Sequence, residues 1–499
     1  MTPALIITFI LSYFGILLGI AYFTSRNSSA ASYFTGNKVS PWYIVAFGML
    51  GDSLSGVTYI SVPGKVINDQ FSYLQLVLGY FAGYLVIAKV LLPVYYKMNL
   101  VSIYSYLESR FGKITQKTGS LFFILSRVLG AAGRLYLAAG VIQTFVFDAI
   151  DGLHIPFYVS VSIIILLMLL YTFKGGIKTL VWTDSLQSLF LVLGVVFSIA
   201  AIADALNLSL FGTFSLISDS GHVKTFFWDP MQSTFFPKQF FGGMFIAIAM
   251  TGLDQNMMQK NLSCKSLGEA QKNILWFSVV MVVVNVFFIS LGVLLYSYYS
   301  KAGIALPVKE VSGKVVTATD RVFPNLALNN YLGVFAGLSF IIGLTAATFS
   351  SADSVLTTLT TSAYIDLFEI DKKNTLTEIQ KKYLRTGIHI IFAIILLICI
   401  LLFSAWNNSA IIDTILMVAG YTYGPLLGLF TFGLFTKRKI KDSMVPIVCV
   451  AAPVITYLLN NYLASNTIFK IGPELIIYNG AISFIMLLLI TDKKPKNLI

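Results

Sequence analysis

Residues 348–360 read TFSSADSVLTTLT, and they lie inside a segment that is otherwise apolar from about 333 to 365. Five of the first seven residues of this stretch carry a hydroxyl or a carboxylate. A charged group at the centre of a bilayer is costly, so Asp353 marks a functional position if the segment spans a membrane. On a helix, Ser350 and Thr357 share the face of Asp353, because residues three and four apart are neighbours. Hard oxygen ligands of this kind suit a small cation such as Na⁺, and a carboxylate also suits H⁺.

The hydroxyl groups of this stretch also have a purely structural explanation. Serine and threonine in membrane helices donate hydrogen bonds to their own helix or let two helices approach closely. That explanation covers any single member of the adjoining stripe formed by Ser351, Ser354 and Thr358. It does not account for Asp353, so the stretch favours a cation-binding helix.

The composition of the whole chain indicates a membrane protein with many spans. Of 499 residues, 57% are hydrophobic and only 11% are charged, and the mean hydropathy is +0.81. A membrane helix needs about 20 apolar residues, and runs this long and continuous are helices rather than barrel strands. About thirteen such segments occur, near 2–24, 41–65, 71–96, 117–148, 156–173, 179–206, 237–257, 272–298, 328–365, 385–405, 409–436, 442–463 and 473–490. The sequence therefore predicts an all-α polytopic membrane protein.

The net charge of +12 follows a topological pattern. Most lysines and arginines fall on alternate loops, including the loop with Lys260, Lys265 and Lys272 and the run at 437–441, and the positive-inside rule makes that face cytoplasmic. The N-terminus is then outside and the C-terminus cytoplasmic. The segment at 2–24 fits an N-out helix better than a cleaved signal peptide, because no basic residue precedes it. The positive charge thus indicates membrane topology and no nucleic-acid partner.

Two of the predicted spans have the composition of broken helices. The segment 41–65 carries several glycines around Asp52, and the segment 240–260 carries Gly252 just before Asp254. Unwound backbone at mid-membrane exposes carbonyls that coordinate cations, and a pair of such spans in corresponding halves points to a transporter binding site. Flexible packing glycines are the alternative explanation.

The positions of the two broken spans predict an internal repeat. Each opens a block of five helices, so that a single transporter domain over 1–499 divides into an extra N-terminal helix (2–24), two five-helix repeats (41–206 and 237–436) and two C-terminal helices (442–490). We see no convincing residue-level similarity between the two blocks. The repeat is therefore predicted from the pattern of spans alone.

Other charged and aromatic residues inside spans are further candidates for a binding site. Arg134 lies too deep in its span to reach water comfortably, so it requires a carboxylate from the protein or from a bound solute. Asp184 lies near the cytoplasmic end of its span, and taken alone it is better explained as an acid favoured by the dipole of its helix. Tyr80 and Tyr421 are candidate cavity-lining residues. The sequence contains no phosphate loop, nucleophile elbow or metal-ligand cluster, so we predict that the protein is not an enzyme.

Several stretches together resemble the sodium solute symporter family, across essentially the whole chain. They are SYFTGNKVSPW (32–42), GDSLSGVTYISVPGKV (51–66), SIYSYLESRFG (102–112), YTFKGGIKTLVWTDSLQSL (171–189), DQNMMQKNL (254–262), TFSSADSVLTTLT (348–360) and GPLLGLFTFGLFTKR (424–438). The number, order and spacing of these stretches make the match strong. The resemblance implies the LeuT-like fold, a five-plus-five inverted repeat with one extra N-terminal and two extra C-terminal helices.

The resemblance also implies two cation sites. The principal Na⁺ site would use the carbonyls of Gly51, Leu54 and Ala347 and the hydroxyls of Ser350 and Ser351. A second cation, held by some members, would use Asp184, Asp353 and Ser354. Those members have serine where this chain has Asp353, so the extra acid has three explanations: it strengthens a second cation site, makes that site proton-linked, or stabilises the fold.

For the solute, the resemblance implies contacts from the first broken helix and from a buried arginine. The matching residues are Ser53, Ser55, Thr58 and Arg134. A glutamine of the organic-acid carriers falls near Val77 here, with Gln75 two residues away, so an identical substrate is in doubt. The further candidate gate or lining residues are Tyr80, Asp254, Gln255 and Tyr421.

The sequence thus predicts a secondary transporter of the plasma (inner) membrane that couples Na⁺ to the import of a small organic solute by alternating access. Arg134 favours an organic acid, with a sugar or polyol second. The partners predicted are the solute, Na⁺ as coupling ion and the lipid bilayer, and the predicted oligomeric state is a monomer. The alternatives are a proton-coupled transporter of the same fold, motivated by Asp353, and a solute sensor or channel without coupled flux.

Overall fold

The structure is a computed structural model that describes residues 3–25, 33–34, 36–148, 150, 155–311, 313–329, 331–406 and 411–491. The first half contains α1 (Pro3–Ser25), α2 (Trp42–Ser53), α3 (Gly56–Asp69), α4 (Tyr73–Lys97), α5 (Ser105–Arg110), α6 (Lys113–Ile142), α7 (Phe157–Ala205, kinked at Gly176) and α8 (Leu210–Asp219). The second half contains α9 (Phe236–Ala247), α10 (Gln255–Asn261), α11 (Leu267–Ala302), the strands β1 (Val308–Val311) and β2 (Lys314–Thr317), α12 (Thr319–Leu328), α13 (Gly333–Ser362), α14 (Glu378–Trp406), α15 (Ile411–Phe435), α16 (Val445–Asn466) and α17 (Leu475–Leu489).

The apolar helices confirm a polytopic membrane protein. Within the described ranges, nine helices are long and apolar enough to cross a bilayer, or ten if the bent pair α2–α3 counts as one span. Two shorter apolar helices cover 157–170 and 475–489. The predicted count of thirteen spans is not established by these helices alone.

Both predicted helix breaks are confirmed. The first separates α2 from α3 at residues 54–55, and the two helices meet at an angle of 59°. The second follows a π-helical turn at Ile248–Gly252, after which Leu253 and Asp254 leave the helix and α10 begins. Backbone groups at such ends lack intrahelical partners, which makes each break a place where carbonyls and amides are free to bind ions or solute.

Some of the loops between the long helices contain short helices or strands. The segment at 299–327 holds both a short antiparallel hairpin, with Val308 paired to Thr317, and the helix α12. The loop between α4 and α6 contains the short helix α5. The lysine-rich tail at 493–496 lies outside the described residues.

Four elements converge at the centre of the fold. The helices α2, α7, α10 and α13 all contact one another, and α13 packs along much of α7. Both broken spans therefore meet the helix that carries the stretch 348–360. This junction brings the polar residues of four distant segments together inside the membrane region.

The contact between α4 and α9 depends on glycine. A Cβ atom added at Gly79 would lie 2.9 Å from the backbone nitrogen of Met244, and one added at Gly243 would lie 3.0 Å from the carbonyl carbon of Leu76. The two backbones thus touch directly, as in other small-residue helix contacts in membranes. This close approach holds the second broken span against α4.

We expect Gly79→Val to separate α4 from α9. Overpacking of a tight contact costs about 1–3 kcal/mol, and here the obstacle is backbone rather than a flexible side chain. The free energy of unfolding in detergent should fall by that amount. Gly15→Val in α1 is the matched control, because a Cβ at Gly15 meets nothing within 4 Å. Equal stability of the two variants would contradict the close packing.

Candidate functional site

A small cavity lies where the two broken spans meet. It is about 90 Å³ in volume. Its walls come from the first break, from α4, α6, α11 and α15 and from the second broken span, and its lining residues are Asp52, Ser53, Ser55, Val57, Thr58, Tyr73, Tyr80, Tyr84, Arg127, Arg134, Ile246, Ala247, Met250, Thr251, Met257, Met281, Ile412, Ile415 and Leu416. A mainly apolar wall with a few polar groups is the usual composition of a solute site.

A second cavity lies next to the small one. A larger cavity of about 530 Å³ shares Tyr73, Ile412 and Leu416 with the small one. Its other walls include residues at and after the end of α3, such as Asp69 and Gln70, and residues just before α17, such as Gly472 and Pro473. The two cavities are therefore adjacent, and we call the larger one the vestibule.

Four of the predicted solute residues line the small cavity. They are Ser53, Ser55, Thr58 and Arg134, and the predicted lining residue Tyr80 joins them. Ser53 is the last residue of α2, whereas Ser55 caps the start of α3, so the break places both at the cavity wall. The structure thus brings together residues from α2, α3, α4 and α6.

The guanidinium of Arg134 is buried at this cavity, and no carboxylate of the described residues pairs with it. The side chain is 9% exposed, and its Nη1 donates a hydrogen bond to the backbone carbonyl of Asp52 at 3.2 Å. No acidic side chain lies within salt-bridge distance of Arg134 in the described part of the chain. A buried guanidinium has several donors in a planar fork, so this arrangement suits an anionic ligand.

Gln75 and Gln255 lie away from the cavity and bind backbone instead. The amide of Gln75 donates to the carbonyl of Thr234 at 2.9 Å and accepts from the N–H of Phe227 at 3.3 Å. Gln255 accepts from the N–H of Ile103 at 2.9 Å. Both side chains connect separate segments of the fold. Neither is among the residues that line the solute cavity, although the sequence predicts that both contribute to it.

Asp254 and Tyr421 are likewise not among the residues that line the small cavity. The carboxylate Oδ2 of Asp254 accepts from Nε of Arg127 at 2.5 Å and from the hydroxyl of Tyr423 at 2.6 Å. The hydroxyl of Tyr421 accepts from the amide of Asn460 at 3.2 Å. Asp254 therefore ties the second break to α6 and α15 rather than lining the cavity.

The residues predicted for the principal Na⁺ site meet at the contact between α2 and α13. Leu54 follows the last residue of α2. A Cβ atom added at Gly51 would lie 2.6 Å from Oγ of Ser350, so the two segments are in contact there. Ala347 lies one turn before Ser350 and is fully buried. The side chain of Ser351 lies outside the described residues.

The hydroxyl of Ser350 is the clearest candidate ligand. Ser350 is fully buried, and its Oγ has no hydrogen-bond partner among the described atoms. Leaving a buried polar atom unpaired costs roughly 1–3 kcal/mol, so such an atom requires an explanation. A cation between Ser350 and the carbonyls at the first helix break would satisfy it. The residues present therefore fit a Na⁺ ion.

The residues predicted for a second cation are occupied by a lysine. Nζ of Lys260 forms ion pairs with Oδ2 of Asp184 and Oδ2 of Asp52, and it lies 3.0 Å from Oγ of Ser354. All four side chains are at most 2% exposed. Asp353 is also fully buried, and its Oδ1 accepts from the backbone N–H of Ser354 at 2.5 Å.

This lysine corrects the sequence interpretation. Lys260 was assigned to a cytoplasmic loop, whereas it is fully buried near the end of α10. The sequence reasoning also gave no role to Asp52 or Arg127, both of which line the cavity or pair inside the fold. Charge balance is the sequence signal that points to these basic residues. Acids inside predicted spans, such as Asp52 and Asp254, require basic partners when they are buried.

Comparisons with known proteins show the family of this chain. The model of the sodium:solute symporter family matches residues 33–442. The chain is similar to the sodium/sialic acid symporter NanT of Aliivibrio fischeri, at 26% identity over 439 residues, which is 87% of this chain and 83% of that protein. It is also similar to sodium-coupled monocarboxylate transporter 1 of Mus musculus, at 27% identity over 400 residues, which is 78% of this chain and 62% of that protein.

The fold has a solved counterpart. The structure of a Na⁺-coupled sialic acid symporter in a substrate-bound outward-open state superimposes with a TM-score of 0.81 at 20% identity, covering 98% of this chain and 99% of the other. That likeness concerns the fold. The family match covers most of the chain and includes both helix breaks and the stretch 348–360. The chain belongs to the sodium:solute symporter family, and it is a Na⁺-coupled membrane transporter rather than an enzyme.

Proposed function

We propose that this transporter imports a small organic acid together with Na⁺. The observation that carries the proposal is the guanidinium of Arg134, which is buried at the cavity and, among the described residues, donates a hydrogen bond only to a backbone carbonyl. A carboxylate is the ligand that complements a planar guanidinium through two parallel hydrogen bonds. The hydroxyls of Ser53, Ser55 and Thr58 lie around the same cavity and supply further donors. Both named relatives carry organic acids, namely sialic acid and monocarboxylates.

The cavity favours an acid of a few carbon atoms over a sugar acid. Its volume of about 90 Å³ is well below the roughly 300–1,000 Å³ of sites for drug-sized ligands. The tyrosines at 73, 80 and 84 and the side chains at 412, 415 and 416 line the cavity. A neutral sugar or polyol would also leave the guanidinium without a charged partner.

Sodium would couple to the solute through the first helix break. The carbonyls of Gly51 and Leu54 and the oxygens of Ala347 and Ser350 would hold Na⁺ between α2 and α13. The ion would then fix the backbone next to Ser53 and Ser55, which line the solute cavity. Because such coupling is reciprocal, the solute must raise the affinity for Na⁺ by the same factor.

The membrane arrangement that we propose is a LeuT-like repeat of five plus five helices, over 41–206 and 237–436, with α1 before it and α16 and α17 after it. Counting the bent pair as one span, and adding the two shorter apolar helices and the segment broken at residues 253–254, brings the spans to thirteen. The N-terminus is outside and the C-terminus is cytoplasmic. The vestibule then opens outward, and the working unit is a monomer in the plasma membrane.

Uptake into proteoliposomes tests this function. A panel of small monocarboxylates, a sialic acid and a neutral sugar would be supplied under an imposed Na⁺ gradient or H⁺ gradient at a fixed membrane potential. We expect Na⁺-driven uptake of a monocarboxylate and no uptake of the sugar. Uptake driven by the H⁺ gradient and indifferent to Na⁺ would instead establish the proton-coupled alternative.

Arg134→Gln should weaken the apparent affinity for the acid about 10-fold or more, because a hydrogen bond to a charged group contributes about 1.5–3 kcal/mol. Arg321→Gln is the matched control, since Arg321 is exposed at the start of α12. The KM for the acid should change by less than about two-fold in the control. An unchanged KM in Arg134→Gln would remove the basis for an anionic substrate.

A further inference from the structure

We propose that Lys260 is a built-in cation: its ammonium occupies the second cation site, so that the transporter binds and couples to a single Na⁺. The proposal rests on the proposed function, because it concerns which cation sites of a Na⁺-coupled transporter remain open to a free ion. It also assigns a role to a residue that the sequence placed in a loop.

The ammonium is bonded on all sides by oxygen atoms from three helices. Asp52 comes from α2, Asp184 from α7 and Ser354 from α13, and Lys260 itself from α10. An ammonium has three hydrogen-bond donors, and these three partners use them all. Hard oxygens from several helices are also the ligands that a small cation requires. Lys260 therefore takes the place that such an ion would occupy.

A second Na⁺ does not fit alongside this lysine. Of the three residues predicted to bind it, Asp184 and Ser354 already contact the ammonium. Oγ of Ser354 also lies 2.9 Å from Oδ1 of Asp52 and 3.2 Å from Oδ1 of Asp353. This hydroxyl is therefore already surrounded by protein partners. Two positive charges in contact repel strongly in a medium of low dielectric constant. Of the oxygens on the three residues that contact the ammonium, Oδ1 of Asp184 is the one without a hydrogen-bond partner among the described atoms, and one oxygen does not make a site.

The surroundings keep the lysine in place. Lys260 is fully buried, and the amide of Asn256, one turn earlier on α10, donates to Oδ2 of Asp52 at 3.3 Å. An ammonium that left this position would strand two buried carboxylates without a counter-charge, which is strongly unfavourable. The tethered charge therefore stays with the protein through the transport cycle, whereas a bound Na⁺ would be released.

The consequence is a defined transport stoichiometry. With the second site filled by Lys260, one Na⁺ would accompany each solute molecule. One Na⁺ together with a monovalent organic anion carries no net charge across the membrane. The structure thus leads to a transporter that is electroneutral for monocarboxylates.

Removing the lysine should open the second site to a free ion. Lys260→Ala leaves the two carboxylates and creates space between them, so we expect the purified chain in nanodiscs to bind two ²²Na⁺ ions at saturation, against one in the unaltered protein. Lys260→Arg keeps the positive charge and should bind one.

Lys238→Ala is the matched control for loss of a buried lysine. Lys238 is 8% exposed and donates to the backbone carbonyl of Lys470 at 3.0 Å, with no carboxylate at salt-bridge distance in the described ranges. This control should still bind one Na⁺. If Lys260→Ala does not fold in the absence of salt, recovery of folded protein by Na⁺ but not by choline supports the proposal, and no recovery by either cation contradicts it.

Two Na⁺ ions bound per unaltered chain would overturn the proposal, and so would a single Na⁺ in folded Lys260→Ala. Electrogenic uptake of a monocarboxylate by the unaltered protein would contradict it as well. These results differ from a failure of the proposed function, which would appear as no Na⁺ binding and no Na⁺-driven uptake in the unaltered protein. The two proposals can therefore be judged separately.

Discussion

Ser350→Ala is expected to raise the Na⁺ concentration for half-maximal binding about 100-fold. The loss of a group that only orients a metal ligand typically costs about 10–100-fold in affinity, and here the ligand oxygen itself would be removed. The hydroxyl of Ser350 has no hydrogen-bond partner among the described atoms, so its removal leaves no protein group newly unpaired. The loss should therefore appear in Na⁺ affinity and not in the stability of the Na⁺-free protein.

Thermal unfolding with and without Na⁺ separates these effects. A ligand at 100 times its dissociation constant stabilises a protein by about 2.7 kcal/mol, and most of that stabilisation should disappear in Ser350→Ala. Ser339→Ala provides the control, because Ser339 lies on the same helix and its hydroxyl donates to the carbonyl of Phe335 at 2.8 Å. Equal stabilisation by Na⁺ in both variants would refute the assignment of Ser350 as a ligand.

Asp254→Asn is expected to lower the free energy of unfolding by about 3–5 kcal/mol, because it removes one partner of a buried ion pair. Asp254 is fully buried and Arg127 is 5% exposed, and their ion pair connects the second helix break to α6. The same carboxylate also accepts from the hydroxyl of Tyr423 on α15. An asparagine would leave the charge of Arg127 buried without compensation.

A double variant tests whether the cost arises from that uncompensated charge. Arg127→Met combined with Asp254→Asn should recover much of the lost stability, since replacing both partners of a buried pair by neutral groups is often nearly neutral. Glu378→Gln is the control. Glu378 pairs with Lys381, but its side chain is 82% exposed. Loss of such a surface pair should change the free energy of unfolding by less than about 1 kcal/mol. A double variant as unstable as Asp254→Asn would contradict the ion-pair explanation.

Several features of the fold follow from local sequence. The bilayer requires long apolar helices, so composition alone predicts the class of protein. Glycine beside acidic residues in 41–65 and 240–260 predicts the two breaks, since an unwound turn requires small residues and polar neighbours. The candidate Na⁺ ligands Gly51 and Ser350 follow from resemblance to the family, and the structure places them in contact.

The side-chain partners inside the site could not be predicted in the same way. Gln75 illustrates this, because its spacing from Val77 suggested the solute, whereas its amide binds the backbone of a loop 159 residues away. Arg134 is the opposite case. Its sequence context leaves open a protein carboxylate or a solute carboxylate, and among the described residues its hydrogen-bond partner is the backbone carbonyl of Asp52.

By itself, the sequence determined a membrane protein with two broken helices and a polar helix at its centre, because hydropathy and glycine content act locally along the chain. Only the tertiary structure decided that Lys260 lies inside the fold. Its two carboxylate partners are 208 and 76 residues away, so no local pattern identifies them. A buried charge is stable only where the fold brings opposite charges to it, and that is decided by how four helices pack together.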